Sequence, residues 1–179
     1  MSVLKIARMG HPVLLAKARP VEDVFAADIQ RLLGDMVDTL ADAGGVGLAA
    51  PQVFHSLRLF IYHVPPARAD GEGAVPLTAV FNPELTPLSD EIVLGWEGCL
   101  SIPGLRAAVP RHSRIRLTGQ DAKGEGFTKE ISGFEARVVQ HEADHLDGVM
   151  YPMRLTDFRY FGFNEETERF PLPLPEGSP

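Results

Sequence analysis

The stretch Gln140–Gly148 constrains this chain more than any other, because it contains the sequence His-Glu-x-x-His. Residues four apart on a helix lie on one face about one turn from each other, so the imidazoles of His141 and His145 can grip one metal ion if the segment is helical. Ser132 and Glu135 have the spacing of a capping box, and Gly148 is placed to end the helix. The sequence therefore predicts a helix over about residues 132–147.

The predicted helix has two distinct faces at about 100° per residue. One face collects Phe134, Val138, His141, Glu142, His145 and Val149. The other collects Arg137, Gln140, Ala143, Asp144 and Asp147. Two histidines and a carboxylate pointing inward are costly to bury unless something compensates them, and a divalent cation does so. Because the bare five-residue pattern also arises by chance, a metal site and a coincidence are equally good interpretations at this point.

Composition limits the class of protein. A chain of 179 residues with 45% hydrophobic and 23% charged residues has the size and balance of one globular domain. It has no signal-like start and no membrane-length apolar run, so we expect a cytoplasmic protein with no membrane partner. The net charge of -7 argues against direct nucleic-acid recognition. The single cysteine, Cys99, is a buried hydrophobe, a reactive thiol or a metal ligand.

Hydrophobic periodicity predicts a second helix and a series of strands. The helix runs from Ala26 to Gly44, and strands are expected at residues 57–62, 78–81, 91–96, 106–109, 114–118 and 127–131. An exposed, mobile loop with Pro65 and Gly73 should separate the first two strands. Because few helices lie between the strands, the predicted fold class is α+β, with mostly antiparallel sheets wrapped around the buried 132–147 helix.

The predicted domain organisation is a single domain over residues 1–162 followed by a tail over residues 163–179. The tail contains Pro171, Pro173 and Pro175, so it should be extended or disordered.

The glycine-rich segment Gly45–Gln52 is too small in its side chains to be an ordinary helix or strand. It is either a tight packing turn or a place where backbone approaches a ligand, and Gln52 offers an amide donor at its end. The segment lacks the Lys-Ser/Thr ending of a phosphate loop and the pattern Gly-x-Gly-x-x-Gly. Nucleotide binding is therefore not expected.

A catalytic site of the zinc type commonly has three protein ligands and one open position for water, so two histidines leave one ligand to find. Cys99 is the natural candidate. Glu142, between the histidines, is better placed as the base that handles a proton from water than as a ligand. These residues together predict a metal-dependent hydrolase.

The chain resembles the peptide deformylases, whose three motifs stand here in family order. They are Gly45 to Gln52 (Gly-x-Gly-x-Ala-Ala-x-Gln), Glu97 to Ser101 (Glu-Gly-Cys-x-Ser) and Gln140 to Gly148 (Gln-His-Glu-x-Asp-His-x-x-Gly). The resemblance implies removal of formate from the N-formylmethionine of newly made proteins. It implies one divalent metal ion, Fe(II) in the first place, with Ni(II), Co(II) or Zn(II) as substitutes.

The resemblance also implies a role for each matching residue. Cys99, His141 and His145 would be the metal ligands and Glu142 the general acid and base. The side chain of Gln52 and the backbone N–H of Leu100 would bind the developing oxyanion. The residues expected to contact the substrate are Gly45, Val46, Gly47, Gly98, Phe134 and Val138. Apart from the resemblance, Val46, Leu100, Phe134 and Val138 are apolar and flank the expected catalytic residues, so they should line a pocket for methionine.

The C-terminal segment departs from some members of the family. Those members end in a long basic helix that docks on the ribosome, whereas the residues after Arg154 here are proline-rich and have only Arg159 and Arg169 as cations. Transient association with the ribosome stays open, but not through a basic C-terminal helix.

Two other interpretations remain. In a metallopeptidase of the His-Glu-x-x-His type, a downstream glutamate such as Glu165 would be the third ligand, on a second helix that Gly162 and the prolines would keep short. In a protein with a structural metal and no activity, a fourth protein ligand is needed. His55, His63 and His112 are available for it, while His11, beside a proline, is expected at the surface.

Overall fold

The architecture is given by a computed structural model that describes residues 2–69 and 73–174. Three α-helices and eight β-strands lie in these ranges. In chain order they are α1 (Ala27–Ala43), β1 (Gly47–Ala49), β2 (Leu59–Val64), β3 (Val75–Pro87), β4 (Ile92–Cys99), β5 (Ile102–His112), β6 (Arg114–Gln120), β7 (Gly126–Ser132), α2 (Gly133–Leu146), β8 (Phe161–Phe163) and α3 (Asn164–Arg169).

The strands form two antiparallel sheets. One has five strands in the order β1-β2-β3-β6-β7, and the other has three in the order β4-β5-β8. Helix α2 contacts strands of both sheets, so it lies in the interior between them. The predicted α+β class, with antiparallel sheets around a buried helix, is confirmed.

The alternation of side chains along β2 explains why one helix packs on each face of the larger sheet. Leu59 and Ile61 belong to a core cluster with the apolar face of α1, which includes Met36. Phe60 and Tyr62, pointing the other way, belong to a cluster with residues of α2. Helix α1 has the predicted extent and ends at Gly44, whose φ of 65° is left-handed.

The start of α2 differs from the predicted capping box. Ser132 is the N-cap residue, as expected, but the Glu135 carboxylate accepts hydrogen bonds from Tyr62 Oη at 2.8 Å and Lys129 Nζ at 2.7 Å. The helix is therefore anchored to β2 and β7 by the side chain that the sequence suggested for its cap.

The segment Gly45–Gln52 was predicted to be irregular, and this is wrong. Gly47–Ala49 forms β1, paired with β2, and Ala50–Val53 forms a 3-10 turn. The small side chains are compatible with a strand here because the neighbouring strand β2 carries large ones. Gly47 lies opposite Tyr62, and Ala49 lies opposite Phe60. The strands β3 and β5 are also longer than predicted, since pairing with two neighbours extends them through Pro87 and His112.

The first part of the predicted tail is not extended. Strand β8 crosses the expected boundary after residue 162 and pairs with β5, and α3 follows it at once. The Thr167 hydroxyl donates to the Phe163 carbonyl at 3.0 Å, which supports this short helix. Residues 175–179 lie outside the described residues, as do residues 70–72 of the loop that was predicted to be mobile. None of the helices in the described part of the chain is long and apolar enough to cross a membrane.

The turn that ends α2 depends on Gly148. Its φ is 73°, and a Cβ atom placed there would lie 2.6 Å from the backbone oxygen of Leu15. Both the backbone conformation and the contact exclude a side chain, so this glycine fixes how the chain leaves the central helix.

We expect Gly148→Ala to reduce the free energy of unfolding by about 3 kcal/mol or more, because it adds a backbone clash to left-handed strain. The matched control is Gly44→Ala, which has a similar φ of 65° and no atom within 4 Å of the added Cβ. It should cost only about 1–2 kcal/mol. Urea denaturation of the two variants measures the difference, and equal losses would contradict the proposed contact with Leu15.

Candidate active site

The three predicted metal ligands come together between α2 and the end of β4. One ligand atom from each of Cys99, His141 and His145 lies within 4.8 Å of the other two. Cys99 Sγ is 3.3 Å from His145 Nε2, and the two imidazole rings are 5.0 Å apart and nearly perpendicular. The spacing of four residues on α2 and the end of β4 at Cys99 produce this arrangement.

The donor set fits a divalent transition metal. A thiolate and two imidazoles are suitable ligands, and three protein ligands leave a position for water or substrate. Glu142 Oε2 is buried and has no hydrogen-bond partner within the described part of the chain. An uncompensated polar atom is costly to bury, which is consistent with a site that a bound cation and its water would complete.

Helix α2 is buried on all sides, not only on the face that carries the histidines. Arg137, Gln140 and Asp144, from the opposite predicted face, are 7%, 8% and 7% exposed. The predicted division of the helix into two faces was therefore sufficient to show that the histidines point inward. It did not show that the face with Arg137, Gln140 and Asp144 is buried as well. A wide cleft of about 1340 Å³ lies on that side, and none of the predicted site residues lines it.

The buried polar surface centres on Glu97 of β4. Its Oε1 accepts from Arg111 Nε and Arg137 Nη1, both at 2.9 Å, and its Oε2 is 2.9 Å from both Arg111 Nη2 and His141 Nδ1. Arg111 Nη1 also contacts Asp144 Oδ2 at 2.5 Å. A carboxylate on His141 Nδ1 leaves Nε2 free for a metal and fixes the plane of the ring.

The electrostatic environment follows from this burial. Burial alone would raise the pKa of Glu97, but hydrogen bonds from Arg111 and His141 hold it well below its usual range. Burial raises the pKa of Glu142 to about 7, with the charge of His141 acting in the opposite direction. Burial also holds the pKa of His145 well below its usual value. The site therefore contains one firmly ionised carboxylate and one that exchanges a proton near neutral pH.

Gln52 is held with its amide directed at the site. Its Oε1 accepts from Ala49 N at 2.8 Å, and this orients Nε2 toward Cys99 Sγ at 3.5 Å and Ser101 Oγ at 3.2 Å. Gly47 lies against the Glu142 side chain, since an added Cβ there would be 2.7 Å from Cδ of Glu142. The glycine-rich segment thus brings its backbone close to Glu142.

The predicted substrate residues fall into two groups. Val46 and Phe134 pack against a cluster that contains Val138. Gly45 lies beside Leu100, whose Cδ1 would be 3.0 Å from a Cβ on Gly45. Gly98 pairs with Arg106 on β5, next to Cys99. These residues lie on the segment Gly45–Gly47, on α2 and near the end of β4, and Gly47 is the one with a recorded contact to Glu142.

Neither rival interpretation gains a ligand. Within the described residues, the group of candidate metal ligands at this site has three members and includes neither a glutamate of α3 nor another histidine. His63 Nε2 lies 3.1 Å from the Gly45 carbonyl and His112 Nδ1 lies 3.2 Å from that of Ser89. His55 and His11 are exposed.

Sequence reasoning missed the residues that support the ligands. Glu97 and Asp144 stand inside two of the three motifs, and this was a signal that each has a role. Arg111 and Arg137 carried no such signal, because they lie outside the motifs and only the fold brings them to Glu97.

Comparison with known proteins identifies the family. A sequence model of the polypeptide deformylases matches residues 3–160 of the chain. The chain belongs to the polypeptide deformylase family. It is 48% identical over 162 residues to peptide deformylase 1 of Nitrosomonas europaea, covering 89% of this chain and 92% of that one.

Solved structures of deformylases have the same fold. That from Thermus thermophilus has a TM-score of 0.75 at 47% identity, with 86% of both chains covered. A class I type b peptide deformylase from Acinetobacter baumannii, bound to Met-Ala-Ser, has a TM-score of 0.78 at 35% identity, with 86% of this chain and all of that one covered. The chain is therefore a hydrolase that removes the formyl group from N-formylmethionine at the start of new polypeptides, the activity of this family.

We expect Glu97→Gln to destabilise the metal-free protein by about 3–5 kcal/mol, because it removes the carboxylate that pairs with buried Arg137 and one of the two carboxylates that pair with buried Arg111. It should also weaken metal binding by about 10–100-fold, since His141 loses the group that orients it. Glu130→Gln is the matched control: Glu130 also pairs with an arginine, Arg116 at 3.0 Å, but at the surface. That variant should lose less than about 1 kcal/mol. Urea denaturation and metal titration of both variants test this, and similar losses in the two would contradict it.

Proposed function

We propose that Cys99, His141 and His145 hold one divalent cation, and that Glu142, Gln52 and Leu100 carry out deformylation beside it. The observation that supports this most is the convergence of three ligand atoms within 4.8 Å next to a buried carboxylate oxygen without a partner. When bound there, the cation would make water more acidic and polarise the formyl carbonyl.

We propose Fe(II) as the physiological metal, with Ni(II), Co(II) and Zn(II) as substitutes. The mixed sulfur and nitrogen donor set is suitable for all four ions. A thiolate adds negative charge to the cation and makes the site softer than one with three histidines, so the identity of the metal should affect the rate.

Glu142 is the group that moves the proton. Its pKa of about 7 lets it accept a proton from water and return it to the departing amine at neutral pH. The missing side chain at Gly47 leaves room for this carboxylate at the edge of β1. Glu142 is thus the general base in the attack on the formyl carbon and the general acid in the release of the amine.

Gln52 and Leu100 stabilise the charge that develops on the formyl oxygen. The Gln52 amide is preoriented by its bond to Ala49 N, so it needs no rearrangement during the reaction. Leu100, in the turn after Cys99, would supply its backbone N–H as the second donor. Fixed donors of this kind each contribute about 3–4 kcal/mol to stabilisation of the transition state.

The methionine side chain binds in the apolar group formed by Val46, Phe134 and Val138. The peptide backbone passes between β1 and Gly98, and β1 can pair with it because it lies at an edge of the larger sheet. The Met-Ala-Ser bound to the Acinetobacter baumannii relative is a peptide of the kind expected after deformylation.

The proposed partners are N-formylmethionyl nascent peptides in the cytoplasm. We propose that any transient contact with the ribosome does not use the C-terminal helix, because α3 has only six residues and carries Glu165, Glu166 and Glu168. Polyanionic RNA would be repelled by such a helix.

The roles of the ligand and the base are separated by two substitutions. Glu142→Gln should keep the metal and the fold and reduce kcat at least about 100-fold, because only proton transfer is lost. Cys99→Ala should lose the metal as well. Formate release and metal content of the purified variants are the measurements, with Glu165→Gln on α3 as a control that should change neither. A Glu142→Gln protein that purifies without metal would reverse the assignment.

The pocket predicts the choice of the first residue. A formyl-norleucine peptide should be deformylated within about threefold of the formyl-methionine peptide, since an unbranched apolar side chain of similar length fills the same space. A formyl-aspartate peptide should react more than about 100-fold more slowly, because its carboxylate would be buried without a partner. Comparison of kcat/KM for the three peptides tests the pocket, and equal values for methionine and aspartate would exclude it.

A further inference from the structure

Tyr151 is a buried residue of the site that the proposed mechanism does not use. It opens the 3-10 turn after α2 and is 1% exposed. Its ring stacks on the imidazole of His141, with centroids 6.1 Å apart and planes 26° apart, and meets Phe161 of β8 edge-on from 6.4 Å. It belongs to the core cluster against which Cys99 packs. The ring therefore lies between a ligand of the proposed metal centre and the smaller sheet.

The hydroxyl of Tyr151 is the part that packing does not explain. It is buried, and it has no hydrogen-bond partner within the described part of the chain. A buried hydroxyl without a partner destabilises a protein relative to the same ring without oxygen. The hydroxyl therefore needs a partner that the described residues do not supply, and a buried water is a common partner for such a group.

Two possible acceptors lie beside this ring. Cys99 packs against the cluster that contains Tyr151, and Glu97 is hydrogen-bonded to His141, on which the ring stacks. Glu97 Oε1 already accepts hydrogen bonds from Arg111 and Arg137. Its Oε2 is at hydrogen-bond distance from Arg111 and His141. A carboxylate has about four acceptor positions, so Glu97 has none left. Cys99 remains as the acceptor.

We propose that Tyr151 is a positioning residue of the metal centre, whose ring holds the imidazole of His141 and whose hydroxyl donates a hydrogen bond, through one water molecule, to the sulfur of Cys99. A hydrogen bond to a ligating sulfur withdraws charge from it. Residues that bond to the ligands in this way change the affinity and the electronic properties of the bound metal. A water in this position would have Tyr151 and Cys99 as two of its polar neighbours. This inference rests on the proposed role of Cys99 and His141 as ligands.

Tyr151→Phe removes the hydroxyl and keeps the ring. In the Co(II)-loaded protein, we expect the sulfur-to-cobalt charge-transfer absorption to move to longer wavelength, because a thiolate that has lost a hydrogen bond donates more readily. In the metal-free protein, the melting temperature should stay equal or rise, because the lost hydroxyl has no protein partner there. The matched control is Tyr62→Phe, which removes a buried hydroxyl that donates to Glu135 at 2.8 Å. It should lower the melting temperature and leave the cobalt spectrum unchanged.

Tyr151→Leu removes the ring as well, and we expect it to weaken Co(II) binding by about tenfold relative to Tyr151→Phe, because His141 is no longer held. A Tyr151→Phe protein with the wild-type cobalt spectrum would overturn the role of the hydroxyl, whether or not the leucine variant folds. Wild-type protein that binds Co(II) without a sulfur charge-transfer band would instead overturn the proposed metal site. The two failures are therefore distinguishable.

Discussion

The hydrogen bonds of the Glu97 carboxylate are the interaction on which the rest of the structure depends. This one group joins β4, β5 and α2, because its partners are Arg111 on β5 and Arg137 and His141 on α2. Taking a carboxylate and two guanidinium groups out of water is very costly unless each charge meets another with good geometry. Here each charged group has an oppositely charged partner at hydrogen-bond distance. These bonds fix the position of α2 relative to β4, the strand that ends at Cys99.

The same arrangement explains why the site is reactive. Glu97 stays ionised because arginines surround it. Glu142, which directly follows His141 in α2, has no arginine partner, and burial raises its pKa to about 7. Two carboxylates a short distance apart thus have different functions, one structural and one suitable for proton transfer. The fold keeps them apart by placing Glu97 on the Nδ1 side of His141 and Glu142 against the glycine backbone of β1.

The sequence was sufficient for the parts of the structure that depend on local pattern. The period of the apolar residues gave α1, the residues Ser132, Glu135 and Gly148 gave the bounds of α2, and the antiparallel sheets followed from the scarcity of helices between strands. The sequence was insufficient where a partner strand decides the conformation, as at Gly47–Ala49, which is a strand because Tyr62 and Phe60 lie opposite it. It also failed at the start of the tail, where β8 pairs with β5 and α3 follows before the first of the prolines.

For the site, the three motifs supplied the proposed ligands, the proposed base and Gln52, because each of these side chains has a chemistry that its residue type already indicates. The supporting groups could not be found in the same way. Arg111 and Arg137 are ordinary surface-type residues in the sequence, and a periodicity argument assigns Arg137 to the less buried face of α2. Only the tertiary structure reveals that the smaller sheet covers that face, where Arg137 is buried and donates hydrogen bonds to Glu97 of β4 and to the Val109 carbonyl of β5.

The proposed metal centre has one sulfur and two imidazole nitrogens of this chain around a single divalent cation. X-ray absorption at the nickel edge of the Ni(II)-loaded protein, combined with a determination of metal per chain, distinguishes this donor set from others. We expect one nickel per chain, with one sulfur neighbour from Cys99 and two imidazoles, and loss of the sulfur neighbour in Cys99→Ser. A nickel shell without sulfur in the unaltered protein, or with a third imidazole, would show that these residues do not form the site.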